Sequence, residues 1–231
     1  MRYLAIGDIH GHADVLCRLL DAVAPRPDDQ VITLGDYVDR GPDSCGVIEQ
    51  LLVLQRKGQL VALRGNHDQM MVEARKGEDQ FREWLFCGGR QTLASYGDAL
   101  AEGRFEDVPD AHWKFLEQDC LDWYEIDTYF FVHANADPDL PLEEQPVYLL
   151  LWEALYEARP HCSGKVMVCG HTRQRSGRPR NWGHTVCIDT WVYGDGWLTC
   201  LDVESGQLWQ ANRHGELRSG WLDDPEDDPT G

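Results

Sequence analysis

The chain has 231 residues, 42% of them hydrophobic and 26% charged, which suits one soluble, well-cored domain. No apolar run approaches the roughly 20 residues needed to span a bilayer. A formal net charge of −19 argues against a nucleic-acid or anionic-membrane partner, because such surfaces need clustered Lys and Arg.

The chain opens with an expected strand, Tyr3–Ile6, that runs into Gly7-Asp8-Ile9-His10-Gly11. The polar turn comes too soon for a signal peptide, so a cytoplasmic location is expected. Val15, Leu16, Leu19, Leu20 and Val23 have the spacing of one helix face, and Pro25 and Pro27 stop it. Val31–Leu34 is short and rich in β-branched residues, which predicts a buried strand. It delivers Gly35-Asp36-Tyr37-Val38-Asp39-Arg40-Gly41, with two carboxylates three positions apart and an arginine beside the second. A second helix is expected from Pro42 or Asp43 to Gly58, and strand Leu60–Leu63 then delivers Arg64-Gly65-Asn66-His67-Asp68. Three strand, loop, helix units in succession predict parallel strands and an α/β fold.

Residues 70–122 read as a helical insertion or cap over the sheet edge, broken at Gly88-Gly89 and Tyr96-Gly97. Strand Tyr129–Val132 ends in His133-Ala134-Asn135, a helix is expected over Leu149–Tyr156, and strand Val166–Cys169 leads into Gly170-His171-Thr172. Thr185–Ile188, Trp197–Val203 and Gln207–Asn212 predict an antiparallel meander forming a second sheet. One domain over residues 1–215 is expected, followed by a disordered acidic tail over residues 216–231. The eight cysteines contain no C-x-x-C pair, and Cys169, Cys187 and Cys200 read as buried free thiols. The nine tryptophans read mostly as packing residues, and His12, His112, His161, His184 and His214 as surface or turn residues.

Five strands thus end in Asp8/His10, Asp36/Asp39/Arg40, Asn66/His67, His133 and His171. In an open α/β sheet that edge is where ligands bind. Carboxylate, imidazole and amide oxygen suit divalent Mn, Fe or Zn, and no cysteine stands at a matching strand end. The number of donors points to a dinuclear site, with ions about 3.5–4 Å apart and one bridging carboxylate.

Gly-Asp-Ile-His-Gly, Gly-Asp-Tyr-Val-Asp-Arg-Gly, Gly-Asn-His-Asp, a strand ending in His133, and Gly-His-Thr together resemble the phosphoprotein phosphatases of the calcineurin-like metallophosphoesterases. Gly88-Gly89 and Thr92–Gly97 resemble the bacterial branch, and the likeness spans roughly residues 3 to 203. It implies a β-sandwich flanked by helices and two divalent ions, manganese foremost, with iron or zinc as alternatives. It also implies that Asp8 and His10 bind the first ion, that Asp36 bridges, and that Asn66, His133 and His171 complete the second. His67 becomes the general acid, Asp39 its orienting carboxylate, and Arg40 and Asn66 substrate-binding residues. The implied reaction is direct attack of a metal-activated hydroxide on a phosphomonoester, with phosphoserine and phosphothreonine proteins as the substrates and a monomer as the acting unit. Hydrolysis of bis(nucleosidyl) tetraphosphates and a catalytically weak metal-binding regulatory module are the alternatives.

Arg173 stands where nucleases of the wider superfamily carry a histidine, which favours the phosphatase branch. The family's second phosphate-clamping arginine has no match at Leu151-Trp152-Glu153-Ala154; Arg159 is the nearest, and Arg173 or Arg175 is expected to compensate. Trp191 replaces a glycine frequent in bacterial relatives and is expected to reshape the pocket, and Asp68 replaces a glutamate.

Overall fold

Strands that are apolar throughout need a cover on both faces. The computed structural model, which describes residues 1–97 and 103–224, has one. β1 (Tyr3–Ile6), α1 (Ala13–Val23), β2 (Gln30–Thr33), α2 (Ser44–Arg56) and β3 (Leu60–Ala62) form the three expected units, with β1, β2 and β3 parallel. Asp43 caps α2 by accepting the Gly46 N–H at 2.8 Å. α3 (Asn66–Glu73), α4 (Glu78–Trp84), α5 (Arg90–Tyr96) and α6 (Asp110–Lys114) follow. The rest comprises β4 (Trp123–Glu125), β5 (Tyr129–Val132), α7 (Val147–Trp152), β6 (Val166–Cys169), β7 (Arg180–Asn181), β8 (Thr185–Cys187), β9 (Leu198–Asp202), β10 (Gln207–Ala211) and β11 (Leu217–Trp221).

The strands form two sheets, ordered β11-β10-β9-β1-β2-β3 and β4-β5-β6-β8-β7. Successive residues of each strand enter different cores, as the period of two demands. Leu4 and Ile6 face α1 and α2 with Leu16, Leu19 and Leu51, whereas Ala5 joins Ile32, Phe131, Val168 and Leu201 between the sheets. Phe130 and Val132 turn the other way, onto Leu150 and Leu151 of α7. The result is a four-layer helix–sheet–sheet–helix sandwich, the α/β architecture that the sequence pattern and the family likeness imply. Each fully buried Leu, Ile or Phe contributes about 1.5–3 kcal/mol. Among the described residues no helix is long and apolar enough to cross a membrane.

The structure departs from the sequence expectations in several places. The antiparallel meander does not make the second sheet: β9 pairs antiparallel with β1 and extends the first. The second sheet is built instead on parallel β5, β6 and β8. Alternation fixes which faces a strand buries, not which free edge receives it. The helix expected over Leu149–Tyr156 stops at Trp152, and the Leu155 N–H is taken by Thr172 Oγ1 at 2.8 Å. The expected cap joins the helical layer, its Trp113, Phe115 and Leu116 packing in one core with Val47 and Leu51 of α2. Leu217–Trp221, assigned to the acidic tail, pairs with β10, whose two-sided ladder offered a free edge. Residues 98–102 of the expected cap and 225–231 of the expected tail lie outside the described residues. Cys169, Cys187 and Cys200 are free and buried, as expected.

One ion pair ties the start of β2 to the N-terminus. Asp29, 3% exposed, accepts the Arg2 N–H at 2.8 Å, Arg2 Nη2 at 2.6 Å and the Arg26 N–H at 2.8 Å. Burial pushes this carboxyl up, but Arg2 and the backbone donors outweigh it and hold it at about 2. A folded-state value below the unfolded one stabilises above roughly pH 4, and that stability is lost as pH falls toward 2. Asp29→Asn is therefore expected to lower urea stability by about 2 kcal/mol at pH 7, with the difference from wild type closing between pH 4 and 2.

Candidate active site

The five strand ends converge at the shared C-terminal edge of both sheets. β1 delivers Asp8 and His10, and β2 delivers Asp36, Asp39 and Arg40. Asn66 and His67 occupy the first turn of α3 rather than a loop, while His133 follows β5 and His171 follows β6. His10, Asp36, Asp39, Arg40 and His171 all have positive φ, between 44° and 72°. Each such residue costs about 1–2 kcal/mol, so the surroundings must hold it. Buried Asp68 does this for the β2 loop: Oδ2 accepts the Asp36 and Gly65 N–H groups at 2.8 and 2.9 Å, and Oδ1 the Tyr37 N–H at 3.0 Å. The Asp36 carbonyl in turn accepts the Ile9 and His10 N–H groups at 3.1 and 2.8 Å, locking the β1 loop to it. Gly65 permits this approach, because a Cβ there would sit 2.2 Å from the Asp36 nitrogen.

The donor set fits divalent cations on one decisive feature. His10 Nδ1 donates to the Val38 carbonyl at 3.0 Å and His133 Nδ1 to the Leu34 carbonyl at 2.7 Å. Both rings therefore aim Nε2 lone pairs inward. Those lone pairs meet Asp36, with His10 Nε2 3.3 Å from Oδ2 and His133 Nε2 3.5 Å from Oδ1. Burial keeps both rings neutral by lowering their pKa. Apart from Arg40 on His10 and the His67 N–H on Asp36, acceptors outnumber donors around this carboxylate, a surplus that divalent cations would satisfy. Two donor clusters share the carboxylate, His10–Asp36–His67 and Asp8–Asp36–His133. Asn66 Oδ1 lies 3.0 Å from His133 Nε2 and 3.1 Å from His171 Nδ1, while His171 Nε2 is tied to the Trp152 carbonyl at 3.2 Å. Burial and neighbouring His133 lower His171 to about 4. Burial pushes the Asp36 carboxyl up, whereas protonation of the surrounding histidines would pull it down, and the net direction is down.

His67 Nδ1 donates to Asp39 Oδ2 at 2.7 Å. Burial disfavours its charged form, yet Asp36 and Asp39 outweigh that and raise its pKa. Asp39 is itself held by residues that the sequence reading left unassigned. Trp84 Nε1 donates to Oδ1 and Oδ2 at 3.0 and 3.1 Å, and Thr92 Oγ1 donates to Oδ1 at 2.8 Å. Both come from the helical stretch. Gly88, at φ 126°, marks where that stretch meets the site, and a Cβ there would lie 2.8 Å from the Arg40 nitrogen. Arg40 donates to His10 Nε2 at 2.8 Å and His67 Nε2 at 2.7 Å, with its guanidinium 4.3 Å from the Tyr193 ring.

Asp189 and Tyr193 were also missed. Asp189 is 2% exposed, follows β8 as His171 follows β6, and helps to raise the Asp8 carboxyl, whose largest cause is burial. That repeat of the strand-end design was the available signal. Tyr193 stands edge-on to His10 at 4.9 Å, and the Arg173 charge acts on its hydroxyl, which brings Arg173 near the rim. Arg159 is drawn away to Asp139 at 3.1 Å. Trp191 adopts φ 67°, a conformation that favours glycine, and its indole packs on Gly194. His12, His112 and His161, expected as surface or turn residues, are buried. Each is hydrogen-bonded within the fold and none joins the centre; His112, for example, is held by Tyr96 and Glu49.

A helix-flanked double sheet with carboxylates and histidines facing one another at its strand ends defines a metal-dependent hydrolase of phosphate esters. The chain belongs to the calcineurin-like phosphoesterase family, whose model matches residues 1–198. Serine/threonine-protein phosphatase 1 of Salmonella typhimurium is 30% identical over 210 residues, covering 86% of this chain and 90% of the relative. Among solved structures, a "putative diadenosine tetraphosphatase" is similar with TM-score 0.64 and 20% identity, covering 95% of this chain and 93% of that one. A protein serine/threonine phosphatase from Saccharomyces cerevisiae gives TM-score 0.64 and 17% identity, covering 98% and 82%. These two structural likenesses bear on the fold.

Replacing Trp84 by Phe removes the bifurcated donor to Asp39 in a buried place. Trp84→Phe is expected to lower urea stability by about 1–3 kcal/mol, and Thr92→Val by a comparable amount, both read from the unfolding midpoint at constant m-value.

Proposed function

We propose that the chain is a phosphomonoesterase that would use two divalent ions, with Asp36 shared between them, and that acts on phosphoserine and phosphothreonine in proteins. The observation that carries the chemistry is the Asp36 carboxylate with neutral histidine lone pairs on both sides. The 30% identity to a bacterial serine/threonine-protein phosphatase, over most of both chains, supports the substrate class. Asp8, His10 and Asp36 would hold one ion, and Asp36, Asn66, His133 and His171 the other. Manganese is the favoured metal, and iron and zinc suit the same donors. Bound there, the ions would supply the chemistry of an acidified water and of positive charge against the phosphoryl oxygens.

The chain's own residues do the rest. Arg40 now spends its donors on two neutral ring nitrogens, and an arriving phosphate dianion is a stronger acceptor for both. Once Arg40 transfers to the phosphate, His67 Nε2 is free to take up a proton from solvent beside the centre, with Nδ1 anchored on Asp39. A ring whose affinity for a proton is raised by Asp36 and Asp39 protonates the leaving alkoxide, which is too basic to depart alone. Trp84 and Thr92 fix Asp39 and hence the ring's direction. Arg173 supplies the second phosphate contact from the rim, beside Tyr193.

Phosphate release should be measured with Mn-loaded protein on p-nitrophenyl phosphate, phosphothreonine and phosphotyrosine peptides, and diadenosine tetraphosphate. The phosphothreonine peptide should be preferred, and chelation should abolish turnover. His67→Asn should lower kcat on the peptide by about 100-fold or more, and less on p-nitrophenyl phosphate, whose leaving group needs no proton. Preference for the dinucleotide would replace the protein-phosphatase reading. Two bound ions without turnover would select a regulatory module. Arg173→Ala should raise KM about tenfold with kcat little changed, as expected for loss of one charged phosphate contact.

A further inference from the structure

The chain carries 40 acidic and 21 basic side chains, yet one groove on it is lined by arginine. About 730 Å³ in volume, the groove has Arg175, Arg178 and Arg180 on one wall and Arg218 of β11 on the other. The first three belong to the loop that follows Gly170-His171-Thr172. Among the described residues two carboxylates border it, and each accepts a hydrogen bond. Asp223 accepts from Asn181 Nδ2 at 2.9 Å, and Asp224 from the Trp221 N–H at 2.7 Å. Arg218 is built into its wall, donating to Gln210 Oε1 at 2.7 Å and the Gly177 carbonyl at 2.6 Å. Arg180 stacks on Trp182 at 4.5 Å and Arg175 on Trp191 at 5.6 Å. A guanidinium stacked by its face keeps its in-plane donors for an anion.

The groove is also where two sheets run out. β7 is the last strand of the five-stranded sheet and β11 the last of the six-stranded one, and both border it. An outer strand offers a ladder edge to an added extended chain. From the groove a line of contacts leads to the centre. Arg175 lies on Trp191, Trp191 stands 6.3 Å from Tyr193, and Tyr193 lies under Arg40 at 4.3 Å.

We infer that this groove docks an acidic, extended segment of the phosphoprotein substrate, with its backbone along β11 and its carboxylates on Arg175, Arg178 and Arg180. The source of the segment rests on the protein-phosphatase reading; the preference for acidic, extended chain does not. Strand edges beside the arginines favour a peptide over a nucleotide, which has no backbone to pair with them.

The test uses the full chain and fluorescence anisotropy of a labelled hexaglutamate peptide, with hexaglutamine as control. Hexaglutamate should bind more tightly, and added salt should weaken it. Combined Arg178→Glu and Arg180→Glu should cost about tenfold or more in affinity, while p-nitrophenyl phosphate turnover stays within about twofold. A phosphothreonine peptide with acidic neighbours should have the higher kcat/KM than a neutral one, and the charge reversals should erase that difference. Equal binding of the two hexapeptides, or affinity unchanged by the charge reversals, would overturn the inference. Docking without turnover of any phosphopeptide would uphold the groove and remove the phosphatase reading. Tighter hexaglutamate binding after deletion of residues 225–231 would also uphold it, with the chain's own Glu226-Asp227-Asp228 as competing occupant.

Discussion

A carboxylate buried to 2% exposure with neutral ring nitrogens facing both its oxygens is a poor arrangement for a protein without cations. Its Oδ1 accepts the His67 N–H at 3.0 Å, yet charge held in a low-dielectric interior is among the most costly things a fold can contain. Much of the surrounding architecture serves to keep this arrangement from collapsing. Backbone carbonyls of Val38 and Leu34 pin the His10 and His133 rings, and the Trp152 carbonyl pins His171. Asp68 gathers three backbone N–H groups so that Asp36 can hold a positive φ. These second-layer contacts set the direction of each donor, which decides both metal affinity and the pose of the reacting groups.

The helical stretch between β3 and β4 has a larger part in this than a cover would. Its Trp113, Phe115 and Leu116 extend the core against α2, and Trp84 and Thr92 close on Asp39. Stability of that layer and orientation of His67 are therefore mechanically linked through one carboxylate. Gly88 and Gly89 make the link possible: the first lets the chain pass against Arg40, and the second leaves room for the Trp84 indole, 2.4 Å from where a Cβ would stand. Strain tolerated at His10, Asp39, Arg40 and His171 is the counterpart of this rigidity.

Much of this was legible in the sequence because strands and their exits are local. Tyr3–Ile6, Tyr129–Val132 and Val166–Cys169 are the strands their apolar runs announce, and the polar residues after them are the ones that meet. Turn glycines between an apolar run and a polar cluster encode the exit directly. The contributions of Trp84, Thr92, Asp189 and Tyr193 were not legible in the same way. An indole 45 positions from Asp39 looks like any core tryptophan until the chain is closed. Asp189 did carry the strand-end signature, at Ile188-Asp189 after β8, but with no second metal-type residue beside it.

By itself, then, the sequence determined the elements, the two-sided burial of the strands, and the residue types presented at their ends, because these depend on periodicity and local backbone preference. Only the tertiary structure decided which edge accepts β9–β11, where the helical layer comes to rest, and which distant groups hold each site residue. β9 could satisfy its alternation beside any strand with a free edge, and its place next to β1 follows from burying Leu201 between the sheets and Cys200 against the helices at once. The arginine groove was decided the same way. Arg175, Arg178 and Arg180 read as a basic stretch in the chain, but only the pairing of β10 with β11 brings Arg218 across from them. Such choices are made by long-range packing, in which one residue's partner is set by how every other layer has already been filled.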